Sequence, residues 1–348
     1  RSAPLWALYL LVLCIVPVDL GASYDPLLAP EQQRLADSIL GAADFFSTYA
    51  AFVYGAALAW VLHSTIFRPT AAYFCAALPL RRETLFCTRW LTGLGLIVLP
   101  NLLVSLLTLG VTAAMGLPQP GACLSFFAAA SMSQFFFYSL ATLCCMVCGH
   151  AAMMPALYVI VNFVVVVVEL IVRVLLESFV YAMPSTGRNY LDFLSPLYYM
   201  IGHGVLYGAR TADAVCFAGL GYLAALTAVG VVFSALSLLL FRRRELERTG
   251  DVLTVRWLRP VFLYVFTLGC ALGLGLLIVS IATNNNVQSN FALTLFATLF
   301  GTVFGYVVAQ MLLQKTLRVL KNSWRGLAVS CAVIVLFLGS LRLDFGGY

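Results

Sequence analysis

The stretch MPALYVIVNFVVVVVELIVRVLLESFV, residues 154–180, decides the fold class. Its only charged residues are Glu169, Arg173 and Glu177. A helix needs about 20 apolar residues to cross the hydrocarbon core of a bilayer, and a backbone in lipid must satisfy its hydrogen bonds internally. The stretch therefore predicts a transmembrane helix.

Eight further apolar stretches lie on either side of this one, separated by short or polar segments. Of the 348 residues, 62% are hydrophobic and only 10% are charged, whereas a soluble domain carries roughly 25% charged residues. This composition excludes a soluble enzyme, a disordered protein and a nucleic-acid-binding module. We expect an all-α polytopic integral membrane protein with about nine transmembrane helices, at residues 4–20, 44–64, 91–116, 123–147, 154–180, 214–241, 260–283, 290–313 and 326–341.

The charged residues divide between the two ends of the predicted spans. With a cytoplasmic N-terminus, 15 of the 20 basic residues fall on the cytoplasmic side, and most of the acidic residues fall outside. Because basic residues resist translocation, we predict that the N-terminus is inside and the C-terminus of this chain is outside. The cytoplasmic basic residues are Arg1, Arg68, Arg81, Arg82, Arg89, Arg242, Arg243, Arg244, Arg248, Arg256, Arg259, Lys315, Arg318, Lys321 and Arg325.

The first long cytoplasmic loop, 65–90, contains the most informative sequence, FRPTAAYFCAALPLRRETLFCTRW (67–90). It is basic and amphipathic, and Pro79 is expected to break it just before Arg81 and Arg82. One interpretation is a membrane-surface helix held by anionic headgroups. The other is a coupling element that docks into a groove on a cytoplasmic partner. Composition alone favours neither.

Part of this loop carries a family resemblance. The run AALPLRRETLFCTRWLTGLGLIVLPNLL (76–103) resembles the stretch of ABC-2 type permeases in which an LP-x-x-R-x-x-x-F element precedes the third membrane helix. More narrowly, the chain resembles the Firmicutes-type permeases that carry a large extracytoplasmic domain after the membrane region. PLWALYLLVL, MPALYVIVNFVVVVVELI and LSPLYYM resemble that group's first helix, fifth helix and outer re-entrant segment.

The resemblance implies the permease subunit of an ATP-driven exporter in the cell (plasma) membrane. Its partners would be ABC ATPase subunits, a second permease copy or paralogue and the lipid bilayer, with no nucleic acid. ATP and Mg would be held by the ATPase, and this chain would hold no cofactor. An amphiphilic or peptide-like cargo would move outward. The residues assigned to ATPase coupling are Tyr73, Leu78, Pro79, Arg81, Arg82 and Glu83.

The lysines give a separate indication about the ATPase. A phosphate-binding P-loop needs the sequence G-x-x-x-x-G-K-[ST]. The chain contains two lysines, Lys315 and Lys321, and neither lies in that pattern. We therefore expect a permease without an ATPase motif of its own, and not an enzyme.

Three other clusters of residues invite functional interpretation. Arg242, Arg243, Arg244 and Glu245 open a second basic cytoplasmic loop, 242–259, which could anchor the sixth span or form a second contact for the ATPase. Glu169, Arg173 and Glu177 share one face of the fifth span, as an internal ion pair or as the lining of a cargo path or subunit interface. The cysteines near residue 145 favour packing, so no metal site is predicted.

We expect residues 1–341 to form one transmembrane permease domain and residues 342–348 to begin an extracytoplasmic segment. Two other functions stay open. One is a non-transporting membrane sensor or scaffold that signals to a cytoplasmic partner. The other is an ion-coupled secondary transporter that uses Glu169, Arg173 and Glu177.

Overall fold

A computed structural model describes residues 3–22, 31–77, 79, 81–179, 191–203, 210–211, 214–215, 219–244, 258–283, 291–314 and 320–342. The helices are α1 (Ala3–Leu13), α2 (Ile15–Ala22), α3 (Glu31–Phe45), α4 (Ala51–Leu62), α5 (Pro69–Ala77), α6 (Arg82–Ala114), α7 (Pro120–Val147), α8 (Met153–Phe179), α9 (Pro196–His203), α10 (Leu220–Arg243), α11 (Leu258–Thr283), α12 (Phe291–Gln314) and α13 (Leu320–Arg342). A π-helix, Phe46–Ala50, joins α3 to α4, and 3₁₀ turns occupy Ser64–Phe67 and Asp192–Leu194. Strands β1 (Arg210–Thr211) and β2 (Ala214–Val215) form a two-residue antiparallel pair.

The helices confirm the predicted fold class, an all-α polytopic membrane protein. Within the described residues, eight helical segments are long and apolar enough to cross a membrane. The ninth predicted span, 326–341, lies within α13, where the described apolar stretch is Trp324–Ser340.

Two helices begin earlier than the apolar pattern indicated. Helix α6 begins at Arg82 instead of residue 91, so its first two turns carry residues assigned to the cytoplasmic loop. Helix α3 begins at Glu31, in a segment expected to be polar connection. In both cases the backbone continues as helix beyond the apolar stretch, since a helix satisfies its own hydrogen bonds in water as well as in lipid.

The chain forms two compact units, Arg1–Ile160 with Pro196–Gly250, and Val161–Ser195 with Asp251–Tyr348. In the first unit α7 is the central helix and packs against α3, α4, α6 and α10. Glycines on three of these neighbours, Gly55, Gly93 and Gly230, abut aromatic residues of α7. The absence of side chains there lets the helices approach closely.

In the second unit, α11 and α12 form the most extensive helix pair. A Cβ at Gly301 would lie 2.7 Å from the Cys270 carbonyl oxygen, and one at Gly275 would lie 2.7 Å from the Thr298 Cα. The small-x-x-x-small pattern of Gly301 and Gly305 therefore marks a helix–helix interface. An apolar cluster that includes Ala271, Ala297 and Ile334 extends the packing to α13.

Candidate functional site

The segment resembling an ATPase-coupling element forms two helices separated by a break. Tyr73 lies on α5 and is exposed, as is its neighbour Phe74. Helix α5 ends at Ala77 and α6 begins at Arg82, so the prediction that Pro79 interrupts the segment is confirmed. Pro79 and Arg81 are exposed, and Arg81 has extended backbone angles as the residue before α6. Leu78 lies outside the described residues.

The first turn of α6 contacts the end of α10. Arg82 Nη1 donates to the carbonyl oxygens of Arg242 at 3.3 Å and Arg244 at 3.1 Å. Glu83 Oε1 pairs with Arg242 Nη2 at 2.9 Å. The structure thus brings together two basic loops that are about 160 residues apart in sequence. From the sequence, they are predicted to be two separate contacts for the ATPase.

Arg244 extends this contact to α7. Its Nη1 donates to the carbonyl oxygens of Cys145 at 3.0 Å and Met146 at 3.1 Å, and its Nη2 to that of Cys148 at 3.0 Å. The last four carbonyls of a helix lack intrahelical donors. Cys144 O is satisfied by Cys148 N at 2.9 Å, and Arg244 satisfies the next two. A buried arginine therefore caps α7, with its positive charge at the negative end of the helix dipole.

The side chains at this cap keep their usual protonation at neutral pH. Burial lowers the pKa of Arg244 to about 10, so the guanidinium stays charged. Burial also raises the pKa of the Cys148 thiol to about 12, an effect that the nearby Arg244 opposes. Cys148 is therefore a neutral thiol beside a permanent cation.

We call Arg82, Glu83, Arg242, Arg244 and the last turn of α7 the three-helix junction. Further contacts support it from α4 and from within the bundle. The rings of His63, Phe86 and Phe241 follow one another with centroids 6.1 and 5.8 Å apart. Trp90 Nε1 donates to Ser234 Oγ at 3.2 Å, which in turn donates to Ser139 Oγ at 3.0 Å. The end of α4, the start of α6 and the ends of α7 and α10 thus lie together.

Two other residues of the second basic loop, Arg243 and Glu245, were predicted to be functional. Arg243, in the last turn of α10, is exposed, and Glu245 lies outside the described residues. Four exposed arginines and one exposed glutamate form a basic patch at this end of the helices: Arg81, Arg82, Arg242, Arg243 and Glu83. Such a patch is suited to an acidic protein surface or to anionic headgroups.

The predicted charged face of α8 contains an ion pair. Arg173 Nη2 lies 3.9 Å from Glu169 Oε1, one helical turn away. The other carboxylate oxygen, Oε2, accepts a hydrogen bond from Leu191 N at 3.1 Å. Glu169 therefore holds the backbone of Leu191 against α8. The side chain of Glu177 lies outside the described residues.

The cysteines around residue 145 pack as free, buried side chains. Cys144, Cys145 and Cys148 are buried. Throughout the described part of the chain, no three His, Cys, Asp or Glu side chains are arranged to hold a metal ion.

A buried polar network in the first unit escaped the sequence analysis. Tyr9 Oη donates to Asn101 Oδ1 at 2.9 Å, and Asn101 Nδ2 donates to Gln134 Oε1 at 3.0 Å and Ser131 Oγ at 3.2 Å. Gln134 Nε2 returns a hydrogen bond to Tyr9 Oη, and the ring of Tyr54 stacks on that of Tyr9 at 3.9 Å. Asn101 and Gln134 stand out as amides inside apolar runs, a signal that could have indicated the network.

The fold and composition define this chain as an all-α polytopic membrane protein. Searches against protein-family models, curated proteins and solved structures find no match. The resemblance to ABC-2 type permeases therefore stays a prediction.

Proposed function

We propose that the chain is the transmembrane permease subunit of an ATP-driven exporter of the ABC-2 type, which moves an amphiphilic or peptide-like cargo outward with a separate ATPase chain. The observation that supports this most directly is the three-helix junction. It links the segment that would face the ATPase, through Arg82 and Glu83, to the ends of α7 and α10.

Through the junction, a force applied to the loop would be transmitted to the helix bundle. An ATPase that moved the segment around Pro79 would displace the first turn of α6, which is hydrogen bonded to the end of α10. Arg244 would pass the displacement to α7, the central helix of the first unit. Because bonded helix ends move together, one docking event would shift three long helices.

The direct test replaces Arg82 with Glu. The change removes two hydrogen bonds to α10 and places a carboxylate beside Glu83. We expect an affinity-tagged Arg82→Glu chain, purified from native membranes, to retain less than about a tenth of the co-purifying ATP hydrolysis, a loss equal to about 1.4 kcal/mol in association or coupling. Mass spectrometry of the purified complex identifies the partner chain.

Two further variants separate coupling from general damage. Arg325→Glu reverses an exposed arginine of α13 that is not part of the junction, and we expect it to keep most of the activity. Reversing that pair, with Glu83→Arg and Arg242→Glu together, should retain more ATP hydrolysis than Arg242→Glu alone. An Arg82→Glu chain that retains its ATPase and full hydrolysis contradicts the proposal, as does a purified wild-type chain with no ATPase partner. The latter result favours the sensor or scaffold function.

A further inference from the structure

A partly enclosed cavity of about 350 Å³ lies between α2 and α3 in the first unit. Val12, Val16 and Leu20 line one wall, at successive turns of the first span. Ala42 and Phe46 line the opposite wall. The volume is at the lower end of the range for small-molecule sites, about 300–1,000 Å³. The lining is mostly apolar and extends over about two helical turns, from Val12 to Leu20, which suits a single hydrocarbon chain.

Both walls depart from regular α-helix at the cavity. Pro17 cannot donate to the carbonyl of Leu13, and the first span is interrupted at Cys14, between α1 and α2. On the other wall, α3 passes into the π-helix that begins at Phe46. π-Helices are often found at functional sites. The coincidence of the two irregularities distinguishes this cavity from an ordinary gap between lipid-facing helices.

The polar lining carries negative charge. Asp19 lines the cavity and is exposed, and Ser38 lines the α3 side. Among the described residues that line the cavity, Asp19 is the one that carries a charge. The potential at the polar side of the cavity therefore favours a cation over an anion.

We propose that this cavity binds a single-chain amphiphile with a cationic head, the chain lying along Val12, Val16 and Leu20 and the head beside Asp19. An alkyl chain fills the apolar length, and an ammonium group pairs with the carboxylate. The inference concerns binding alone and does not depend on the proposed transport or on any ATPase.

The test uses the whole chain in nanodiscs of phosphatidylcholine, a lipid with no net charge. A dodecylammonium probe with a photoactivatable diazirine in its chain is crosslinked, and the labelled peptides are sequenced. We expect labels within residues 12–20 and 38–46. Unlabelled dodecylammonium should compete about fivefold better than dodecanoate of the same chain length, as expected for a partly exposed ion pair.

Substitutions distinguish the specific site from a lipid-filled groove. Asp19→Asn should bring the two competitors to equal potency while labelling continues, because the apolar walls remain. Ala42→Phe should reduce labelling by narrowing the cavity. Asp37→Asn, which changes a carboxylate of α3 that does not line the cavity, should alter neither result. Equal competition by dodecanoate in the wild type, an unchanged preference in Asp19→Asn, or labelling elsewhere overturns the proposal.

Discussion

At Gly93 the missing side chain makes room for the ring and hydroxyl of Tyr138. A Cβ at Gly93 would collide with the Tyr138 Oη and Cζ atoms, whereas one at Gly95, two residues along α6, would meet nothing within 4 Å. Tyr138 is fully buried on the central helix α7. The two glycines therefore differ in their packing, although both lie in the same apolar run.

This difference predicts opposite effects for one substitution at the two positions. Gly93→Ala forces α6 away from Tyr138 and should destabilise the protein by about 1–3 kcal/mol, because the crowded ring has no free space. Gly95→Ala should be neutral or stabilising by up to about 1 kcal/mol, since alanine favours a helix interior. The measurement is the thermal unfolding midpoint of each variant in detergent.

A double variant checks the cause. Tyr138→Leu removes the atoms that a Gly93 Cβ would meet, so Gly93→Ala should cost less than half as much in that background as in the wild type. An equal cost in both backgrounds would show that the ring is not the obstacle.

Two prolines within the predicted spans affect their helices differently. Pro17 coincides with the break between α1 and α2, whereas α6 continues through Pro100 without interruption. Proline at 100 removes the donor for the Leu96 carbonyl, four residues earlier. Tyr54 Oη of α4 donates to that carbonyl at 2.9 Å and replaces the missing bond. A hydroxyl from a neighbouring helix thus keeps α6 intact.

Tyr54→Phe should therefore weaken α6 at Pro100. The Leu96 carbonyl would lose its replacement donor inside an apolar bundle, at a cost of about 1–3 kcal/mol. The matched control is Tyr158→Phe, since Tyr158 Oη donates at 3.0 Å to the Phe52 carbonyl, which also has an intrahelical donor in α4. The control should cost less. Hydrogen exchange of the α6 amides after residue 96 measures the local effect, and equal exchange in both variants would contradict it.

The sequence located most helices but not the contacts between them. Apolar runs place the spans well, because the length of a membrane helix is set by bilayer thickness. They cannot show that α6 continues to Arg82, where the residues are polar. The distribution of basic residues predicts that Arg82 and Arg242 lie on the same side of the membrane. The hydrogen bond between them depends on how α6 and α10 pack around α7. The network of Tyr9, Asn101 and Gln134 depends on three helices at once.

For the whole molecule, the two ends of α6 test the predicted orientation. Cys87 is exposed near the start of α6, and Pro118 is exposed just after its end. In a chain whose other cysteines are replaced by serine, a membrane-impermeant maleimide should label Cys87 in inside-out vesicles and not in right-side-out vesicles. A cysteine introduced as Pro118→Cys should give the reverse result. The opposite pattern at both positions would overturn the prediction of a cytoplasmic N-terminus.

Helix α6 also has a mechanical consequence. Its 33 residues make a rod about 50 Å long, well beyond the roughly 30 Å hydrocarbon core. Asn101 ties it to α1 and α7 at about 28 Å from Arg82 and about 20 Å from Ala114, and the Leu96 carbonyl ties it to α4 at about 21 Å and about 27 Å from the same residues. These attachments act as a fulcrum. Because the two attachments lie near the middle of the rod, a movement of the arginine end swings the far end by a similar distance in the opposite direction, so the rod reverses the motion it receives.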